Sequence, residues 1–351
     1  MKITDAPDAS PTVDASPTVD APPTVSAPAS ISAPASVLER LRSCERPPVD
    51  PALAGGLREW IEDELADAVA ELPPSVPRVS VAKGPLTSVL LCEAHTLALR
   101  TDPQPVTREI ALGSLVDVAF RAQVTSGLSC AGDDPLAGPL AALAVSGERR
   151  DSEVVALVAS LTRRERDALA VEVAAHSAIV ERHWQRLPGA WLPRTQDRVR
   201  LPFAGGRVTL AGTFDLVLGA PAAELASVCI VEVKSGKRRV EHRADLHFYA
   251  LLETLRSGAP PFRVATFYTS GGDLDVEAIS EDILTATVRR VIDGTLRLCR
   301  LAAGSEPERT PNPLCPWCSE LATCAPGQKS IAAREEAPGL GASPGAEASW
   351  G

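Results

Sequence analysis

Two apolar-alternating segments, 207–218 and 226–234, constrain this chain more than any other part of it. The first places Val208, Leu210, Gly212 and Phe214 at every second position and runs into Asp215. The second, built on Val228, Ile230, Val231 and Val233, carries Glu232 and Lys234 two residues apart. Side chains at every second residue of a strand point the same way, so Glu232 and Lys234 share a face. A hairpin return then brings Asp215 beside them. Two carboxylates and a lysine at a strand edge suit phosphodiester hydrolysis dependent on Mg²⁺ or Mn²⁺. The carboxylate oxygens hold a hard cation, and the ammonium positions or activates a water against the phosphate. A lone Glu-x-Lys reads more simply as the solvent face of a hairpin. Here the only lysines are Lys2, Lys83, Lys234, Lys237 and Lys329, which makes one inside a Val/Ile-rich strand unusual for this chain.

The rest of the pattern expects an α/β (α+β) fold with a central mixed sheet flanked by helices. Strands are expected at 196–203, 262–269 and 274–279, with Ala204-Gly205-Gly206 as a hairpin turn and a strand-like Val79-Ser80-Val81 upstream. Helical spacing marks 51–71, 107–124, 240–257 and 281–303, and a single long Ala/Val-rich pattern covers 150–186. The 351 residues are 45% hydrophobic but only 4% aromatic, so the core is expected to be aliphatic. The Pro/Ala/Ser/Thr-rich stretch at 1–36 and the stretch at 326–351 read as disordered tails, with a helical segment at 37–78 before the main domain at 79–325.

A formal charge of −10 argues mildly against a nucleic-acid partner. The basic run Lys237-Arg238-Arg239 is an exception in its position, since it follows the candidate site directly and could hold phosphates there. No stretch has the length of a membrane span, and the start lacks the apolar segment of a signal peptide, so a cytoplasmic protein is expected. Eight cysteines in such a chain point to metal or cluster chemistry rather than to disulfides. No phosphate-binding Gly-x-x-x-x-Gly-Lys-Ser/Thr loop is present, so any unwinding activity comes from another protein.

Three thiols, Cys315, Cys318 and Cys324, crowd a short Pro-rich segment, an arrangement typical of zinc or iron–sulfur ligands. A fourth ligand is needed from Cys44, Cys92, Cys130, Cys229, Cys299 or, for zinc, a histidine. Cys229 and Cys299 fall in a strand and a helix and read as buried small hydrophobes. Cys92, in Leu90-Leu91-Cys92-Glu93-Ala94-His95, is favoured, and a 4Fe–4S cluster is favoured over Zn²⁺.

Together these features resemble the PD-(D/E)XK nuclease superfamily over roughly residues 79–325. Within it they resemble the RecB-like exonuclease branch with a C-terminal cysteine cluster, which includes the AddB nuclease domain and CRISPR-associated RecB-like exonucleases. The resemblance implies a restriction-endonuclease-like core. It matches Asp215 to the Asp that ends the first core strand, and Glu232 and Lys234 to the Glu-x-Lys of the next. It implies metal ligation by Asp215, Glu232 and the Val233 carbonyl, and a structural cluster held by Cys92, Cys315, Cys318 and Cys324. Two positions depart from the family pattern. Gly113-Ser-Leu-Val-Asp117 puts Asp117 where a metal-ligating His is common, and Asp245-Leu-His-Phe-Tyr249 keeps Tyr249 but replaces a Gln by Asp245.

The implied activity is a metal-dependent DNA nuclease, an exonuclease on single-stranded or end-containing DNA in repair, recombination or defence. Asp215, Glu232, Lys234 and Tyr249 are the catalytic candidates, Arg238 and Arg239 hold the DNA backbone, and a helicase or repair protein is the expected partner. The competing expectation is a catalytically weak, nuclease-like scaffold that binds DNA or a partner through its cysteine module.

Overall fold

The computed structural model describes residues 36–336 apart from 43–45, 77, 133 and 223. Of the expected tails, 1–35 and 337–351 therefore lie outside the described residues.

Six strands form one mixed sheet: β1 (Val79–Val81), β2 (Arg194–Phe203), β3 (Val208–Leu218), β4 (Cys229–Lys234), β5 (Arg263–Tyr268) and β6 (Asp273–Glu277). The hairpin expected around Ala204-Gly205-Gly206 joins β2 to β3. Its turn takes positive φ at all three residues (48°, 61° and 86°), which two glycines make inexpensive. β2 pairs with β3 along one edge, from Phe203↔Val208 to Arg194↔Val217. The other edge of β3 is shared. β1 lies parallel to its beginning (Val81↔Leu210), and β4 lies antiparallel to its end (Leu216↔Val231). Both strands run toward the unpaired stretch between Leu210 and Leu216, so their C-terminal ends meet at a gap in the sheet. β4 continues to β5 in parallel, and β5 to β6 antiparallel.

The described residues include eleven α-helices. Before the hairpin come α1 (Val37–Arg42), α2 (Leu53–Ala70), α3 (Lys83–Leu91), α4 (Glu93–Thr101), α5 (Arg108–Ser126), α6 (Ala137–Ala144), α7 (Arg149–Ser160) and α8 (Arg163–His183). After it come α9 (Glu241–Ser257), the crossover between β4 and β5, then α10 (Glu281–Ala302) and α11 (Ala325–Glu336). Strand alternation assigns the layers: Ile230 packs into a cluster with α2, α9 and α10, while Cys229 and Val231 pack into a second with Phe120 of α5 and Val180 of α8. In β3 the alternation turns over at Asp215, since Phe214 belongs to the first cluster and Leu216 to the second. Opposite that turnover Gln196 takes φ 52°, and the Gln196–Asp215 pair is missing from the β2–β3 ladder.

Three sequence expectations are corrected. The pattern over 150–186 is two helices, because Leu161 and Thr162 are extended and Thr162 starts α8 with a capping box to Glu165. The break lets Val154 and Val158 of α7 join Leu169 and Val173 of α8 in a third cluster against α5. Residues 325–336, most of them expected in a tail, form α11, whose Gln328 amide donates to the Leu321 and Ala322 carbonyls at 3.1 and 2.8 Å. The segment at 37–78 is not set apart either. Leu57, Ile61, Leu65 and Val69 of α2 are buried in the main cluster, each contributing about 1.5–3 kcal/mol of transfer free energy.

Candidate active site

The gap in the sheet is where the predicted residues meet. The β3–β4 ladder stops at Leu216–Val231, and the Asp215 side chain takes over: its Oδ2 accepts the Val233 N–H at 2.8 Å. Glu232, next on β4, is only 2% exposed. Its Oε1 accepts from Lys234 Nζ at 2.9 Å, as strand spacing predicted for a shared face, and from Lys83 Nζ at 2.6 Å. Its Oε2 is buried without a hydrogen-bond partner. Lys83 is the first residue of α3, two positions beyond the end of β1.

Asp117 arrives on α5. Arg121 Nε lies 3.0 Å from its Oδ2, and Gln196 Nε2 donates to its two oxygens at 3.3 and 3.4 Å. One turn earlier on that helix, a Cβ on Gly113 would stand 3.3 Å from Ser235 Oγ. The glycine therefore permits the close approach that brings Asp117 over the end of β4. Asp245 enters from α9 and shares the same cleft, whose volume is about 540 Å³. Tyr249, one turn on, is buried and does not line the cleft. Its ring packs on Phe214 with centroids 4.9 Å apart, and Lys83 Nζ stands 5.2 Å from the ring centre. The predicted phosphate contacts separate: Arg239 lines the cleft with Lys237, whereas Arg238 turns away to Asp275, 2.7 Å distant, over the Tyr268 ring.

The carboxyls of Asp117, Asp215, Glu232 and Asp245 crowd one part of the cleft, with Lys83 and Lys234 on Glu232 and Arg121 on Asp117. Burial opposes the Glu232 charge, but Lys234 and Lys83 outweigh it and hold that carboxyl down at about 2. Burial, then Glu232 and Asp117, push Asp215 well above the usual carboxylate range. Asp117 is raised to about 6 by burial, against the pull of Arg121, with Glu232 adding to the rise. Burial also raises Asp245, opposed by Lys83. Among the described residues, no three His, Cys, Asp or Glu side chains are arranged to hold a metal ion as they stand. The donor chemistry nevertheless fits a hard divalent cation: an unpartnered buried Glu232 oxygen, and acids whose charge lacks compensation.

The cysteine segment forms a separate small cavity of about 20 Å³, lined by Cys92, Cys315, Cys318, Cys324 and His95. Cys92 sits between α3 and α4 and contacts the Glu308 carbonyl at 3.8 Å, while the Asn312 N–H donates to Cys315 Sγ at 3.3 Å. The Cys318 thiol is raised by burial and then by the other three thiols, which places all four in one electrostatic neighbourhood. His95 is 4% exposed and its Nδ1 has no partner. The four thiols share one cavity, but among the described residues they do not stand in an arrangement that holds a metal ion. The other candidates fall elsewhere: Cys229 and Cys299 in the two apolar clusters, Cys130 in a loop, and Cys44 outside the described residues.

Sequence reasoning missed Lys83, Gln196 and His95 as site residues. The scarcity of lysine was the available signal for Lys83. The Cys92-x-x-His95 spacing was the signal for His95.

A mixed sheet with an acidic, lysine-bearing centre at the break in one strand edge defines a nuclease-like α/β protein. The chain belongs to the PD-(D/E)XK nuclease superfamily, whose family model matches residues 93–325. A comparison with curated proteins gives no match. Among solved structures, the chain is similar to a protein from Eubacterium rectale provisionally named an exonuclease. The identity is 12%, over 76% of this chain and 95% of that one, with a TM-score of 0.45. It is also similar to a protein named SSO0001, at 12% identity over 77% of this chain and 97% of that one, with a TM-score of 0.30.

Proposed function

We propose that this protein is a metal-dependent deoxyribonuclease of the RecB-like branch, acting as an exonuclease on single-stranded or end-containing DNA. The observation that carries the reading is the convergence of Asp215, Glu232 and Lys234 in one cleft, with Glu232 half-satisfied and Asp215 short of positive charge. Asp215, Glu232, the Val233 carbonyl and Asp117 would hold Mg²⁺ or Mn²⁺. Such an ion, when bound, polarises the scissile phosphate and lowers the pKa of a bound water. Lys234 keeps Glu232 ionised and orients the attacking water. Tyr249, held protonated by burial, acts as the platform under Lys83 rather than as a proton donor. Arg239 and Lys237 contact the DNA backbone along the cleft wall, and Arg238 joins them only by releasing Asp275.

The cysteine cavity would hold a 4Fe–4S cluster, or Zn²⁺, through Cys92, Cys315, Cys318 and Cys324. Its role is structural: it fastens the module at 311–325 to the α3–α4 junction and closes a nuclease domain spanning 79–325. A helicase or a repair or defence protein would supply the DNA ends, in the cytoplasm. No helix among the described residues is long and apolar enough to cross a membrane.

Anaerobically purified protein tests the reading on end-labelled single- and double-stranded DNA with Mg²⁺ or Mn²⁺, beside Glu232→Ala. Cleavage by the wild type alone supports it. Asp117 and Asp245 favour a second reading, because both add negative charge where DNA would approach. On that reading the protein is a scaffold that binds DNA or a partner through its cysteine module. A well-folded, metal-loaded protein that cleaves no substrate would make it the better reading.

A further inference from the structure

Lys83 has no part in the Asp, Glu-x-Lys pattern, yet it makes the shortest polar contact to Glu232, 2.6 Å from Oε1. Charge balance alone does not account for its position. Lys234 already pairs with that same oxygen at 2.9 Å, while Glu232 Oε2 has no partner at all. The Lys83 side chain is 23% exposed on the cleft, between the β4 edge and the Tyr249 ring. An ammonium has three donors. One goes to Glu232, and with the Tyr249 ring 5.2 Å away on one side, N–H capacity remains for the cleft.

On the nuclease reading above, we propose that Lys83 is a further substrate-contacting residue, giving an N–H not used by Glu232 to a non-bridging oxygen of the DNA phosphate bound at the β1–β4 gap. Two lysines then bracket that phosphate, one from the end of β4 and one from the start of α3. Lys234 lies on the water side, and Lys83, from the end of β1, lies on the phosphate side. Tyr249 and Phe214 beneath fix the height of Lys83 above the sheet.

The test is equilibrium binding of fluorescein-labelled oligothymidylate, with Ca²⁺ replacing Mg²⁺, across a salt series. It compares wild type, Lys83→Ala, Lys83→Gln and Lys83→Arg, with steady-state cleavage in Mg²⁺ run alongside. Each phosphate contact to a single strand contributes ~0.7 to the slope of log affinity against log salt. Lys83→Ala and Lys83→Gln are expected to lose about that much slope and about a hundredfold in kcat, as for one preorganised donor to developing phosphate charge. Lys83→Arg keeps the slope. Unchanged slope and turnover in the Ala and Gln variants, from a wild type that cleaves, would overturn the Lys83 assignment and leave the nuclease reading standing. Loss of folding in both would also overturn it, by making Lys83 structural. A wild type that binds with a Lys83-dependent slope but does not cleave supports the phosphate contact and counts against the nuclease. A wild type that neither binds nor cleaves removes both.

Discussion

Asp117 and Glu232 share a cleft and titrate in opposite directions because their neighbours differ. Glu232 faces two ammoniums, whereas Asp117 has one guanidinium, a weak amide contact and the Glu232 charge. The sign of the stability effect follows. A carboxyl raised from 3.8 to about 6 binds its proton more tightly in the folded state, so its contribution is fully present below the unfolded value and is lost as pH rises through about 6. In the metal-free protein, Asp117→Asn is therefore expected to remove a decline in thermal midpoint between about pH 4 and pH 6. The wild-type and variant midpoints, plotted as a difference against pH, check this. A flat difference would mean that Asp117 titrates normally. Mg²⁺ should raise the wild-type midpoint most above pH 6, where the acids are charged.

At the level of elements, α9 reaches the sheet over a glycine. A Cβ on Gly212 would stand 2.7 Å from Leu252 Cδ1 and 2.9 Å from Tyr249 Cε1, so the helix seats only because β3 has no side chain there. Gly212→Ala is expected to cost about 1–3 kcal/mol in denaturant unfolding. It should also weaken cleavage, because Tyr249 carries Lys83. Thr162→Ala, at the start of α8, removes one capping box and should cost about 1 kcal/mol with cleavage intact, measured in the same two assays. The hairpin and the paired acids were legible in the sequence because both depend on local alternation and a glycine turn. The break at Thr162 was legible too, as Thr-x-x-Glu, but an apolar period that continues from α7 into α8 masked it. Lys83 was legible only as a scarce lysine and not as a site residue, because the carboxylate that gives it meaning lies 149 residues away and reaches it only through the sheet. α11 was missed because an Ala/Gly-rich segment without a strong apolar face reads as a tail.

Across the whole molecule, the cysteine cavity joins the α3–α4 junction to a segment near the C-terminal end of the described residues. If it holds a cluster or zinc, Cys318→Ser is expected to lower metal content and thermal midpoint together, while wild-type protein keeps both unless chelated. Equal midpoints and equal metal content would remove the structural role of the module. The shared edge of β3 has a further consequence, in time rather than in space. β4 meets β3 through a short connection, but β1 pairs with residues 129 positions further along, Val79 with Val208. Contacts that close so long a loop form late, because their chain entropy is paid before they return anything. A chain that has closed β2, β3 and β4 but not yet docked β1 holds Asp215, Glu232 and Lys234 without Lys83. On the nuclease reading, cleavage would then reach its full rate only once β1 has docked and brought Lys83 to Glu232.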